Sequence, residues 1–413
     1  MISVEEALHT ILESIRPLPL EKVGILKSLG RVLGEDIVSE RNIPPGDNSA
    51  MDGYALRAAD TLFASRKNPV TLLVIEDIPA GHMPKKKIKA GQASRIMTGA
   101  LIPEGADAVL RVEDTETDGK SVRIFTSINA GNDIRMAGED VKKGELVIPR
   151  GGILRAAEIG MLSSLSRSFV YVFQQPVAAI LATGDELVEV DQPVEPGKIV
   201  NSNSYALAAQ VLECGAIPMQ LGIARDNRED LVEKFRAALR ADIIISSGGV
   251  SVGDYDLVKD VMKEMGSSMH FWKVAMRPGR PLAYGTLGGK PIFGLPGNPV
   301  SSMVSFEQFV RPALLKMMGQ SSLFRRSVRA VLAENISKKS GVRAFLRARV
   351  SSEKGQYVAT TTGEQGSGIL KSMVRANGLI ILPEEMTSAK KGDTVTVQIL
   401  DNSLETTTNP EYL

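Results

Sequence analysis

The sequence predicts a multidomain chain of α/β plus β class, with a central doubly wound parallel α/β/α domain, an inserted β domain and a C-terminal β domain. Three observations carry this. The chain has 413 residues, more than a single hydrophobic core usually organises. Between Pro176 and about Ser321, apolar strand-like runs alternate with amphipathic helical ones, the pattern of a parallel sheet covered on both faces. On either side, short β-prone runs are separated by glycine-bearing turns, which reads as separate β domains. These shifts in texture place an N-terminal helical and linker domain at 1–45 and 145–175, and the inserted β-rich domain at 46–144. The α/β domain is 176–322, the C-terminal β domain 323–400 and a tail 401–413.

At the N-terminus, Val4, Ala7, Leu8, Ile11, Leu12 and Ile15 recur at helical spacing, so an amphipathic helix is expected. Ser3 and Glu6 stand at capping-box spacing, and Pro17 and Pro19 end the helix. "VTLLVIEDI", "SVRIFTSI" and "ELVIPRG" are β-prone, with turns at Asp118-Gly119 and Ala130-Gly131-Asn132. "RAAEIGMLSSL" returns to helix. The central domain then reads strand "VAAILATGDEL", helix "NSYALAAQVLECG" with Gly215 as its C-cap, and strand "IPMQLGIARD". Helix "REDLVEKFRAALR" follows, with Leu231, Phe235, Ala238 and Leu239 on one face, then strand "ADIIISSGG" and helix "DLVKDVMKEM". After Arg326, "FLRARVSS", "QYVATTT", "GLIILPEE" and "TVTVQIL" are strands, punctuated by Gly363, Gly366 and Gly368. The polar run 401–413 is expected to lack fixed structure.

Composition removes several function classes. Lys plus Arg number 49 and Asp plus Glu 48, so no basic excess calls for nucleic acid or a membrane surface. One cysteine, Cys214, precludes an intrachain disulfide and a thiolate metal cage. His9, His82 and His270 lack zinc-ligand spacing. The first residues are acidic, without a signal-peptide core, and the apolar runs are too short to span a bilayer. A soluble cytoplasmic protein is expected.

Ligands of an open α/β sheet bind beyond the carboxyl ends of its strands. Those ends carry Thr183-Gly184-Asp185-Glu186, Arg225-Asp226 and Ser247 to Ser251, and "FGLPGNPVSS" marks a further strand-to-helix junction. In "SSGGVSVGDYD", Gly248 and Gly249 free backbone N–H groups for an anion, and Ser247 and Ser251 add hydroxyls. Asp254 and Asp256 would repel that anion unless a divalent cation lay between, and Mg²⁺ takes carboxylate and phosphate oxygens together. A plain turn with helix-capping aspartates explains the same residues. Neither a G-x-x-x-x-G-K-[ST] nor a G-x-G-x-x-G pattern occurs, so any phosphate site is of another type. "FWKVAMRPGRP" gathers Lys273, Arg277 and Arg280, which suit an oxyanion or an exposed basic turn. "GLPGNP", with two prolines and two glycines, is a rigid loop.

Seven stretches, "NSAMDGYA", "RIMTGA", "GEDV", "ATGDEL", "SSGGVSVGDYD", "RPGRP" and "GLPGNPVSS", occur in the order of the motifs of the molybdopterin molybdenumtransferase (MoeA) family, to which the C-terminal part of gephyrin also belongs. The chain resembles that family from Met1 to about Leu400. The resemblance implies an α/β domain of the molybdopterin-binding type and a homodimer whose cleft lies between the α/β domain of one subunit and N-terminal segments of the other. It implies a reaction of adenylylated molybdopterin with molybdate that releases AMP, leaves molybdenum on the dithiolene sulfurs and needs Mg²⁺. A molybdopterin adenylyltransferase and acceptor apo-molybdoenzymes are the implied partners.

Carried over by resemblance, Asp256, Asp226 and Glu186 match the essential acids of the α/β domain, with Asp226 and Asp256 as candidate Mg²⁺ ligands. Asp52, Thr98 and Asp140 match the essential N-terminal residues. Gly248, Gly249, Ser251, Pro296, Gly297, Asn298 and Pro299 form the wall for the pterin phosphate or nucleotide. Lys273, Arg277, Arg280, Arg347 and Ser367 match the groups near molybdate. The family usually has lysine at Arg277 and often at Arg280; charge is kept and geometry is not. Two alternative functions fit fewer features. A molybdopterin adenylyltransferase would need only the α/β domain, and a gephyrin-like dimeric scaffold would need none of the acids.

Overall fold

In the computed structural model, which describes residues 1–248, 257–353 and 355–406, alternate residues of the central strands divide between two cores. Ala178 and Ile180 of Val177–Thr183, and Ile243 and Ile245 of Ile243–Ser247, enter one core. Ala179, Leu181 and Ile244 enter the other, as side chains of period two must. Helix Ser202–Glu213 covers the first face through Leu207, Ala208 and Val211. Helices Arg228–Ala238 and Leu257–Glu264 cover the second through Leu231, Phe235, Val258 and Val261.

The sheet order is Ile217–Ala224, Val177–Thr183, Ile243–Ser247, Lys290–Leu295, Pro281–Leu287 and Ser268–Lys273. The first four strands are parallel and the last two antiparallel, so the parallel sheet expected from the sequence is mixed at one edge. The reason is local. Gly288 and Gly289 both have positive φ, 54° and 76°, the backbone of a two-residue hairpin turn, and the chain doubles back there instead of crossing over.

The N-terminal helix spans Val4–Ser14 with the expected capping box: Ser3 N–H donates to Glu6 Oε2 at 2.8 Å and Glu6 N–H to Ser3 Oγ at 3.0 Å. Its Val4, Ala7 and Ile11 join the first core of the α/β domain. The long run from Pro299 to Met317 is helical throughout, with a π-helical turn at Phe306–Val310.

The C-terminal strands close on themselves. Arg343–Glu353 pairs with Gln356–Thr361 and Gly378–Leu382, and Thr394–Ile399 and Ser327–Leu332 complete the ring. Met276–Arg277, from the stretch read as a loop, adds to this barrel by pairing in parallel with Arg343–Ala344. The start of the polar tail is anchored rather than free: Asn377 Nδ2 donates to Ser403 Oγ at 2.9 Å and Leu404 packs on the barrel core.

All of this belongs to one compact unit, Met1–Lys22, Gly30–Val32 and Tyr171–Leu413; a second unit comprises Val23–Leu29 and Leu33–Val170. The second holds a six-stranded sheet in the order Ala108–Arg111, Gly53–Leu56, Gln92–Ile96, Val70–Ile78, Ser121–Ile124 and Thr115–Thr117. Tyr54, Leu56, Leu72, Ala93, Leu110 and Val122 form its main core.

Candidate active site

Beyond the carboxyl ends of the parallel strands lies a cleft of about 460 Å³. The chain makes it by ending each strand on a residue that turns sharply. Gly248 has φ 90°, and a Cβ there would lie 2.7 Å from the Thr183 carbonyl oxygen, so only glycine lets the two strand ends meet. A Cβ on Gly297 would reach within 3.9 Å of Gly248 Cα. The rigid proline-glycine loop is thus seated directly over the end of Ile243–Ser247. Glu186, Gly248, Pro296, Gly297, Asn298 and Pro299 all line the cleft. Gly249, Ser251 and Asp256 lie outside the described residues.

Asn203, in the first turn of Ser202–Glu213, ties the two sides together. Its Nδ2 donates to Ser247 Oγ at 2.7 Å and to the Gly297 carbonyl at 2.8 Å. Asp226 sits at the end of the neighbouring strand and is paired with Asp185: Asp226 N–H donates to Asp185 Oδ1 at 3.1 Å, and Asp185 N–H to Asp226 Oδ2 at 3.3 Å. Two carboxylates are therefore held side by side. Asn203, Asn201, Thr183 and Asp185 are not in the sequence-derived set. The strand-end rule points at Thr183 and Asp185, whereas Asn201 and Asn203 look like ordinary helix-cap residues.

The basic segment is fixed from both sides. Ile2 bridges to Val274, Ile2 N–H donates to the Lys273 carbonyl, and Arg343 N–H donates to the Ala275 carbonyl. Lys273, Arg277 and Arg280 remain exposed, and among the described residues none has a carboxylate partner. Arg347 is different: it is fully buried. Its Nε donates to Ser372 Oγ and an Nη to the Gly366 carbonyl, both at 3.0 Å. Burial first, and the positive charge of Arg277 second, push its pKa down to about 10. Two guanidinium groups within electrostatic reach, neither neutralised by a carboxylate among the described residues, make a local field that favours an anion. Ser367 adjoins them through the backbone. Its carbonyl accepts from Val300 N–H at 3.1 Å, which brings the barrel loop against the helix that follows the proline-glycine loop. Ser302 and Ser305 of that helix are buried, with hydroxyls lacking a partner among the described residues.

The remaining candidates lie in the second unit. Asp52 Oδ1 accepts from Thr98 N–H at 2.7 Å and from Thr98 Oγ1 at 2.8 Å. Those bonds, the backbone one foremost, hold the carboxyl below the usual aspartate value. Asp52 and Thr98 line a second pocket of about 460 Å³ beside Arg111. Gly53 explains the glycine of "MDGYA": a Cβ there would strike the Leu110 carbonyl of the adjacent strand. Asp140 is on a separate turn, its N–H bonded to the Ile43 carbonyl at 3.0 Å.

Comparison with known proteins covers nearly the whole chain. Residues 2–166 match the family described as MoeA N-terminal region (domain I and II), 179–316 the probable molybdopterin binding domain, and 329–400 the MoeA C-terminal region (domain IV). The chain is 37% identical to the molybdopterin molybdenumtransferase of Bacillus subtilis over 404 residues, 97% of this chain and 94% of that protein. It is 36% identical to that of Haemophilus influenzae over 411 residues, 98% of this chain and 100% of that protein. Among solved structures, the molybdopterin biosynthesis moeA protein of Pyrococcus horikoshii matches with a TM-score of 0.85 at 34% identity, covering 97% of this chain and 99% of that one.

Proposed function

Since the chain belongs to the MoeA family of molybdopterin molybdenumtransferases, we propose that it makes the molybdenum cofactor from adenylylated molybdopterin and molybdate. In this reaction the phosphoanhydride bond is cleaved, AMP leaves, and the two dithiolene sulfurs replace oxygens of molybdate. One observation carries the reading: the strand-end cleft and the unpaired cationic groups lie in one unit, joined through Asn298 to Val300 and Ser367. An organic phosphate and a free oxyanion thus have adjoining places.

The roles follow from chemistry. Gly248 and the Pro296–Pro299 loop would hold the substrate's phosphate and nucleotide part, with Gly249 and Ser251 continuing that wall. Lys273, Arg277, Arg280 and Arg347, with Ser367, would bind molybdate; arginine grips a tetrahedral oxyanion through two donors at once. Asp226, Asp256 and Glu186 would be the essential acids of this unit. Asp52, Thr98 and Asp140 would serve from the second.

Mg²⁺ fits the donor set. Among the described residues no three His, Cys, Asp or Glu side chains cluster as a cage. Mg²⁺ does not ask for one, since it commonly takes one or two carboxylates plus substrate phosphate. Asp226, held beside Asp185, offers such oxygens, and Asp256 is the second candidate. Bound there, Mg²⁺ would neutralise phosphate charge as the anhydride breaks. We further infer a homodimer located in the cytoplasm, supplied by an adenylyltransferase and feeding acceptor apo-molybdoenzymes. Among the described residues no helix is long and apolar enough to cross a membrane.

The test is AMP release from adenylylated molybdopterin. It should require molybdate, stop with a chelator and resume with added Mg²⁺. Release that ignores molybdate would reject the transferase reading, and formation of adenylylated molybdopterin from ATP would favour an adenylyltransferase. Sedimentation of the purified chain checks the dimer.

A further inference from the structure

Two residues of the strand-end cleft carry polar atoms that the protein leaves unmet. Thr183 is 5% exposed and Asn201 2%, and both line the cleft. Asn201 Oδ1 caps the helix Ser202–Glu213 by accepting from Ser204 N–H at 3.2 Å. Its Nδ2, like Thr183 Oγ1, has no hydrogen-bond partner among the described residues. Buried donors are rarely left so, and an orphan in a cleft marks a place where something else supplies the acceptor. Asn203 adds a third donor indirectly. Its two Nδ2 hydrogens are committed to Ser247 Oγ and the Gly297 carbonyl. Ser247, accepting from Asn203, therefore keeps its own proton to give. The rest of the lining is largely apolar, from Leu187, Ile199, Val200, Pro281 and Pro296.

Apolar surface with a few fixed donors suits a flat ring whose edge bears acceptors. We propose that this cleft holds a nitrogen heterocycle edge-on, with Asn201 Nδ2 and Thr183 Oγ1 meeting its ring acceptors. Asn203 is then a positioning residue, which sets the polarity of Ser247 and holds the strand end to the Gly297 loop. The inference rests on the function proposed above in one respect: adenylylated molybdopterin carries two such rings, adenine and pterin.

The two polar atoms can be removed without removing the fold. Asn201→Ser keeps a good helix cap and deletes the amide. Thr183→Val keeps the branched shape and deletes the hydroxyl. Binding of AMP and of neopterin to the full-length chain, measured by calorimetry, distinguishes the rings. Each variant should melt near the wild-type temperature. It should bind one probe about three- to tenfold more weakly, the usual worth of one hydrogen bond: AMP if adenine occupies the cleft, neopterin if the pterin does. The KM for adenylylated molybdopterin should rise by the same factor, with half-saturation by molybdate unchanged. Wild type that binds neither probe, or folded variants that bind both as wild type does, would overturn the assignment. Wild type that binds a probe yet releases no AMP with molybdate would sink the proposed reaction and leave the heterocycle site standing.

Discussion

Asp185 and Asp226, on adjacent parallel strands, each accept the other's backbone N–H. This clasp holds two exposed carboxylates where a cation and a phosphate would need them. The Asp226 side chain, on the functional reading above, has a direct role, whereas Asp185 acts by placing it. Asp226→Asn should abolish most AMP release. Asp185→Asn retains an acceptor oxygen and should stay close to wild type. Asp185→Ala loses that acceptor and should fall about tenfold or more, the cost of a hydrogen bond to a charged group. All three should melt alike. Equal activity in the alanine and asparagine variants would remove the positioning role.

The cationic segment makes a separable prediction. Arg277→Ala and Arg280→Ala should each raise half-saturation by molybdate about tenfold or more, with less effect on the KM for adenylylated molybdopterin. Arg277→Lys restores charge without the two-donor fork and should recover only part of the loss. Titration with molybdate at fixed pterin reads this directly, and unchanged half-saturation in both alanine variants would reduce the arginines to surface charges.

Arg347 should show itself in the pH dependence. Burial and Arg277 together lower its pKa to about 10, so it is charged below that value and neutral above it. Molybdate affinity should therefore decline as the pH rises through about 10, earlier than for an ordinary arginine. An affinity flat to about pH 11 in a folded protein would separate Arg347 from the oxyanion.

In the second unit, Thr98→Val should raise the pKa of Asp52, since one of two lowering hydrogen bonds goes and the backbone bond remains. The sign for stability follows. The folded value is depressed, so the contribution is present above 3.8 and lost as the pH falls through the folded value. Carboxyl NMR titration of both proteins tests it, and identical titration curves would refute the bond.

Gly53→Ala should destabilise the second unit sharply, because its Cβ has no room beside the Leu110 carbonyl. Overpacking typically costs about 1–3 kcal/mol, and backbone yields less readily than side chain. A melting temperature within a degree or so of wild type would mean that the strands separate freely.

What the sequence reveals here depends on whether the determinant is local. The alternation of strand and helix is local, and it located the four parallel strands and their helices. The hairpin at Gly288 and Gly289 escaped, although the glycine pair is its signal, because the flanking runs resemble buried parallel strands. Glu186, Asp226 and the proline-glycine loop were legible as strand ends. Asn201 and Asn203 were not, since a capping asparagine and a cleft asparagine are the same letter. Arg347 was found only through the resemblance, since nothing in "FLRARVSS" tells a buried guanidinium from a solvated one.

The parallel pairing of Met276–Arg277 with Arg343–Ala344 has a practical outcome for anyone who wants the pieces apart. A cut near residue 322, where composition suggests a border, severs hydrogen bonds that cross it and strips the barrel of its added strand. Each fragment would present a raw edge able to recruit another chain. The fragment starting at Val177 would also lack Ile2, which secures the far side of the same segment. Expression of the α/β portion alone should yield aggregates or a shifted basic segment. Separately produced halves should gain solubility when refolded together. For this protein the smallest piece worth crystallising or screening is the entire first unit, both of its chain ends included.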